Sequence, residues 1–74
     1  MKSFKIKLSF QEVKAFVNLI GRYAFDADLK SGRFIIDAKS LLGVLSLDLE
    51  KPLLLEVHDD NCAELAKELG KYII

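Results

Sequence analysis

Ile36-Asp37-Ala38-Lys39-Ser40-Leu41-Leu42-Gly43-Val44-Leu45-Ser46-Leu47-Asp48 marks the place where an extended segment gives way to a short helix. The run Phe34-Ile35-Ile36 is strand-like and breaks at Asp37. Ser40 then stands where a helix N-cap belongs, with leucines directly behind it. The helix it opens runs to about Leu47. Leu41, Leu42, Leu45 and Leu47 fall on more than one helical face, so a single core cannot take them all and some are left to face solvent or a partner. The stretch reads as an interaction surface beside a modifiable serine and not as an active site.

Working outward, Phe4, Ile6 and Leu8 alternate with lysines, the period-two pattern of a half-buried first strand. Ser9-Phe10-Gln11-Glu12 has the form of a capping box, with Leu8 and Val13 placed as its hydrophobic staple. Val13, Phe16, Val17 and Ile20 then recur at helical spacing, predicting a helix over about Phe10 to Arg22. Phe25, Ala27 and Leu29 alternate with charged residues as a second strand. Ser31-Gly32 reads as the tight turn of a hairpin whose other arm is Arg33 to Asp37.

Beyond the middle helix, Asp48 to Lys51 is a loop and Pro52 opens a fourth strand, where a missing N–H is tolerated. There Leu53, Leu55 and Val57 face one way, and Leu54, Glu56 and His58 the other. Asn61 with Glu64 forms the best cap for a last helix carrying Leu65, Ala66 and Leu69, with Cys62 at the edge of its stripe. Gly70 ends that helix, and Lys71 to Ile74 pack back as a tail. The element order β-α-β-β-α-β-α predicts an α+β fold, a four-stranded antiparallel sheet covered on one face by three helices, over a single domain spanning 1–74.

Composition bounds the function. A chain of 74 residues buries only roughly 60% of its unfolded surface, so its core must be efficient. With 51% hydrophobic residues, four Gly and one Pro, it is composed to fold and not to remain disordered. Eleven basic and eleven acidic residues cancel, which argues against nucleic acid or an anionic membrane as partner. One Cys allows no internal disulfide, no signal-peptide pattern opens the sequence, and no apolar run is long enough to span a bilayer. These features together predict a cytoplasmic protein without membrane insertion.

The residues that carry chemistry form no catalytic set. His58 is the only histidine and reads as a partly exposed strand residue. His58, Asp59, Asp60 and Cys62 cluster in sequence, but their spacing matches no zinc pattern. Cys62 reads as core packing, and Asp26 and Asp28 as an ordinary charged strand face. No phosphate-cradling loop, Ser-His-Asp set or nucleotide motif is present, so no catalytic residue, metal or cofactor is expected.

The element order, with its Lys-Ser-led helix after the hairpin, resembles HPr, the histidine-containing phosphocarrier of the bacterial sugar phosphotransferase system. The likeness is tightest over Lys39-Ser40-Leu41-Leu42-Gly43-Val44-Leu45-Ser46-Leu47, where Gram-positive members read Lys-Ser-Ile-Met-Gly-Val-Met-Ser-Leu. It extends loosely from Tyr23 through Val57. The resemblance implies an open-faced β-sandwich. It implies that Ser40 matches the serine that a dedicated kinase phosphorylates, and that Lys39, Leu41, Leu42 and Leu45 belong to the patch that docks Enzyme I and regulators. One departure is severe: the family's phosphoryl acceptor lies in Gly-x-His-Ala-Arg-Pro at the start of the first helix, and here Leu8-Ser9-Phe10-Gln11-Glu12 fills that place. The expectation is therefore a family member that has lost the acceptor histidine and works by binding a protein: a regulator, a kinase or a phosphotransferase component. The alternatives are a phosphocarrier using another nucleophile, or a small structural subunit that shares only the topology.

Overall fold

A computed structural model describes all of residues 1–74. Its strands are β1 (Lys2–Ile6), β2 (Ala27–Ser31), β3 (Phe34–Asp37) and β4 (Leu53–Val57), and its helices are α1 (Val13–Gly21), α2 (Leu41–Leu45) and α3 (Ala63–Glu68). The strands form one sheet in the order β1-β4-β2-β3, every neighbouring pair antiparallel. The apolar positions of β4 follow the expected alternation: Leu53, Leu55 and Val57 are buried while Leu54 and His58 are exposed or nearly so. The inner face carries Ile6, Ala27, Leu29 and those three β4 residues. Onto it pack Val13, Phe16, Val17, Leu19 and Ile20 of α1, Val44 of α2, and Leu65 and Leu69 of the α3 region. Every fully buried residue is hydrophobic, and no buried side-chain polar atom lacks a partner.

Several boundaries differ from the sequence reading, each for an identifiable reason. β1 begins at Lys2, because Lys2 pairs with Val57, and it ends at Ile6; Leu8 is fully buried but lies beyond the strand. The expected helix from Phe10 opens instead with a 3-10 turn over Phe10–Glu12 before α1 begins. The carboxylate arm of the Ser9–Glu12 box is formed, with the Ser9 N–H donating to Glu12 Oε1 at 2.9 Å, while the Glu12 N–H reaches the Ser9 carbonyl at 3.0 Å.

The hairpin turn sits one residue later than expected. Ser31 pairs with Phe34, and the two-residue loop is Gly32-Arg33 with Gly32 at φ 59°. Glycine at the first loop position is the requirement of the tight turn that suits strand twist. The last helix is not capped by Asn61. The Asn61 N–H is taken by Asp59 Oδ1 at 2.8 Å, and Cys62 becomes the cap residue of α3.

The C-terminal tail covers the Lys5–Lys7 end of one sheet edge. Lys7 N–H donates to the Tyr72 carbonyl at 2.9 Å, Ile74 N–H to the Lys5 carbonyl at 3.1 Å, and Ile73 bridges Ile6. Tyr72 is 2% exposed and meets Phe16 edge-to-face at 5.5 Å, which fixes the tail to the core. The opposite edge, β3, pairs only with β2.

Candidate functional site

Ser40 lies between β3 and α2 with extended backbone (φ −94°, ψ 110°), and its Oγ accepts from the Gly43 N–H at 3.1 Å. That is a side-chain N-cap at the position the sequence indicated. The close approach depends on glycine: a Cβ at Gly43 would lie 3.1 Å from Ser40 Oγ and 3.4 Å from Ile36 Cδ1. At the other end of α2, Ser46 Oγ donates to the Gly43 carbonyl at 2.6 Å. Both serines thus serve the ends of a five-residue helix, with Ser40 at the end where free N–H groups and the helix dipole favour negative charge.

The apolar residues of this segment divide. Val44 is fully buried and Leu47 nearly so, and they anchor the segment. Leu45 is half-buried against the core. Leu42 is 81% exposed and Leu41 39% exposed. The Lys39 ammonium donates to the Tyr23 carbonyl at 2.8 Å, and its backbone N–H to Asp37 Oδ1 at 2.9 Å, so Lys39 ties the start of α2 to the loop after α1.

Phe10 joins this surface without having been singled out in the sequence. It is 69% exposed and lines a shallow hollow with Leu8, Leu45, Leu47 and Leu49, between the start of the first helical segment and the loop after α2. The 3-10 geometry of Phe10–Glu12 turns it off the stripe that Val13 begins. The available signal was its position directly after a cap serine, outside the regular α-helical run.

The histidine lies elsewhere. β1 leads into Ser9 at the end of the sheet where Ile6 faces Leu53, whereas His58 follows Val57 at the opposite end. There His58 Nε2 is 2.8 Å from Asp28 Oδ2, and Asp26 and Asp37 line the same hollow. No group of three or more His, Cys, Asp or Glu side chains is arranged to hold a metal ion. Cys62 is buried, as its place beside the apolar stripe suggested.

The groups with displaced ionisation are structural. Tyr23 donates its hydroxyl to Glu68, and this bond, with some burial and the carboxylate charge, pushes the phenol up to about 12. The same bond, with the Arg22 guanidinium 2.7 Å away, holds the Glu68 carboxyl below its ordinary range. This trio, exposed at Arg22 and Glu68 and half-buried at Tyr23, joins the end of α1 to the end of α3. The N-terminal ammonium does the same to Asp60, lowering its carboxyl through a hydrogen bond.

The architecture is that of an antiparallel open-faced β-sandwich with an exposed apolar helix beside a capping serine. Comparison with solved structures places it in the HPr fold. HPr from Bacillus anthracis str. Ames superposes with a TM-score of 0.72 at 18% identity, over 99% of this chain and 94% of that one. HPr-C-His from Thermoanaerobacter tengcongensis gives 0.76 at 23% identity, over 96% and 89%. Crh, the catabolite repression containing protein of Bacillus subtilis, described as a domain-swapped intertwined dimer, gives 0.66 at 21% identity, over 95% and 87%. No protein-family model matches the sequence, and no curated protein matches it significantly. No helix is long and apolar enough to cross a membrane.

Proposed function

We propose that this chain is a protein-binding member of the HPr-like group that carries no phosphoryl group on histidine and acts from the cytoplasm, with the surface around α2 as its docking site and Ser40 as a regulatory phosphorylation site. The exposure of Leu42 and Leu41 directly after the Ser40 cap carries the reading. Each fully exposed leucine forgoes roughly 1.5–3 kcal/mol of burial, a large share of what a domain of this size has to spare. The exposure of Leu42, and in part of Leu41, with Phe10 exposed as well, is accounted for by a partner that covers them. Leu45 forms the inner wall of that surface and Lys39 its flank. Phosphate on Ser40 would stand at the positive end of α2, replacing a neutral hydroxyl with about two negative charges at the rim of the apolar patch. Such a change alters what the patch accepts without unfolding it.

The reading excludes a carrier that uses His58. That imidazole is engaged by Asp28 and flanked by Asp26 and Asp37, an arrangement that repels a phosphoryl donor. Incubation with Enzyme I and phosphoenolpyruvate is expected to leave the protein unmodified by intact-mass spectrometry. An acid-labile phosphate on His58 would overturn the proposal. Affinity capture from the source organism should recover a partner with the wild-type protein and lose it with the Leu41→Ser/Leu42→Ser variant. Equal recovery with both would remove the docking role.

A further inference from the structure

We infer that the free edge of the sheet, β3, pairs with β3 of a second copy in a two-fold antiparallel arrangement centred on Ile35, making one continuous eight-stranded sheet. The inference goes beyond the proposed function, which rests on α2. Three observations carry it.

First, β3 is an uncovered edge that is shielded only by its shortness and by the charge of Asp37 at its end. Natural edge strands are blunted by charges, prolines, bulges or covering segments. The far edge, β1, is covered by the tail at Ile6–Ile73. β3 instead presents Phe34 at 66% and Ile35 at 60% exposure.

Second, the backbone is in phase for this register. The Ala38 N–H donates to the Ala27 carbonyl at 2.9 Å, and Ala27 and Ala38 continue the Asp28–Asp37 register outward. Alternation in an antiparallel ladder then directs the backbone groups of Phe34 and Ile36 toward β2, and those of Ile35 and Asp37 away from it. A two-fold axis at Ile35 sets Ile35 against Ile35 and Asp37 against Arg33. The unpaired N–H and C=O groups of the two Ile35 residues therefore meet each other, and Asp37 stands beside the turn residue Arg33 of the second copy.

Third, the side chains of Arg33-Phe34-Ile35-Ile36-Asp37 complement their own reversal. Arg33 faces Asp37 of the second copy at both ends, and Phe34 faces Ile36. Within one copy Asp37 is directly opposite Asp28, a like-charged cross-strand pair. Asp28 has His58 as its counter-group, but Asp37 has only the Lys39 backbone N–H, and Arg33 makes no ion pair in the monomer. Arg33 of the second copy supplies the missing cation. The interface type is isologous and closed, so pairing stops at the dimer.

An interface of one strand edge falls in the small, weak class, so the expected dissociation constant is ~1 mM or tighter. Sedimentation equilibrium of the full chain up to that concentration should show a monomer–dimer equilibrium. Arg33→Asp and Asp37→Arg should each weaken self-association about tenfold by setting like charges opposite one another. Mixing those two variants should restore dimers, because each then meets the opposite charge at both ends. Ile35→Pro should abolish pairing while keeping the β2 ladder, since the N–H it removes points outward. Far-UV circular dichroism confirms that each variant is folded, and if Ile35→Pro is not, the charge variants decide. A chain that stays monomeric overturns the inference. So does a dimer indifferent to the charge reversals, as an exchanged-strand dimer would be, or a mixture that fails to associate.

Discussion

Replacing Ser40 tests whether α2 is held by its cap and whether that position accepts negative charge. α2 has five residues, too few for intrinsic helical stability, and it persists through its ends and the burial of Val44. Ser40→Ala removes the Oγ acceptor 3.1 Å from the Gly43 N–H. That N–H is only partly buried, so water can replace the lost partner, and the cost belongs near the middle of the capping range, about 1 kcal/mol. With a urea m-value of about 1 kcal/mol/M, the low end expected for a small domain, the midpoint should fall by about 1 M. The melting temperature should fall by roughly 4–8 °C. Ser40→Asp keeps an acceptor at the cap and adds a charge that the helix dipole favours by about 0.3–1 kcal/mol. The Asp37 carboxylate, which accepts the Lys39 N–H beside this position, opposes that gain, so Ser40→Asp should stay within about 0.5 kcal/mol of wild type. The assay is urea unfolding followed by far-UV circular dichroism on the three proteins in parallel. An unchanged midpoint for Ser40→Ala would refute the cap. A Ser40→Asp protein as unstable as Ser40→Ala would refute the claim that this position tolerates phosphate.

Leu42→Ser should leave stability within about 0.5 kcal/mol of wild type, because the side chain is already mostly in water. Phe16→Ala, which empties a fully buried site against Tyr72, should cost roughly 3–5 kcal/mol in the same unfolding assay. The Tyr23 ring should titrate near pH 12, followed by NMR, and Tyr23→Phe should return Glu68 toward its ordinary acidity. The linked effect on stability has two limbs. Glu68, with its folded value lowered, contributes above pH 4.5 and loses that contribution as pH falls through the lowered value; Tyr23, with its folded value raised, contributes below pH 10 and loses it toward pH 12. Tyr23→Phe should flatten the alkaline limb and shrink the acid one, and both changes are small because neither group is fully buried.

The sheet and its helices were legible because local period and chemistry agreed with the final packing. Leu53, Leu55 and Val57 alternate in a strand buried on one face, and the α1 stripe from Val13 to Ile20 repeats at helical spacing. The misplacements arise where two local signals compete. Ser31-Gly32 looks like a turn by composition, but the positive φ of Gly32 belongs at the first loop position, which moves Arg33 into the turn and Ser31 into the ladder. Asn61 is a good cap residue, yet its N–H, which Glu64 would take in a capping box, is held by the Asp two positions earlier. Ser40 was legible as a cap because capping is a short-range bond. The partners of Lys39 and His58 were not legible: Tyr23 and Asp28 lie 16 and 30 residues away and are reached only through the assembled fold. Phe10 escaped because a single turn of 3-10 helix rotates it away from a stripe that an unbroken α-helix would have included it in.

The two ends of the sheet differ in a way that bears on what this scaffold can do. Phosphoryl carriage needs a nucleophile in surroundings that favour an anion, such as unpaired N–H groups or cationic side chains. At the end where the first helical segment begins, the chain places Ser9 and Phe10, and the Glu12 carboxylate already accepts the Ser9 N–H at 2.9 Å. That N–H is thus occupied, and a carboxylate stands at the start of the helical segment. At the other end the only imidazole sits among Asp26, Asp28 and Asp37. Neither end combines a nucleophile with a field that welcomes phosphate. α2 keeps the Ser40 hydroxyl at its N-terminal end with the exposed Leu41 and Leu42 immediately beyond, the arrangement that the proposed docking and phosphorylation would use. Under the proposed function, Leu41 and Leu42, exposed beside Ser40, are where a protein partner would dock.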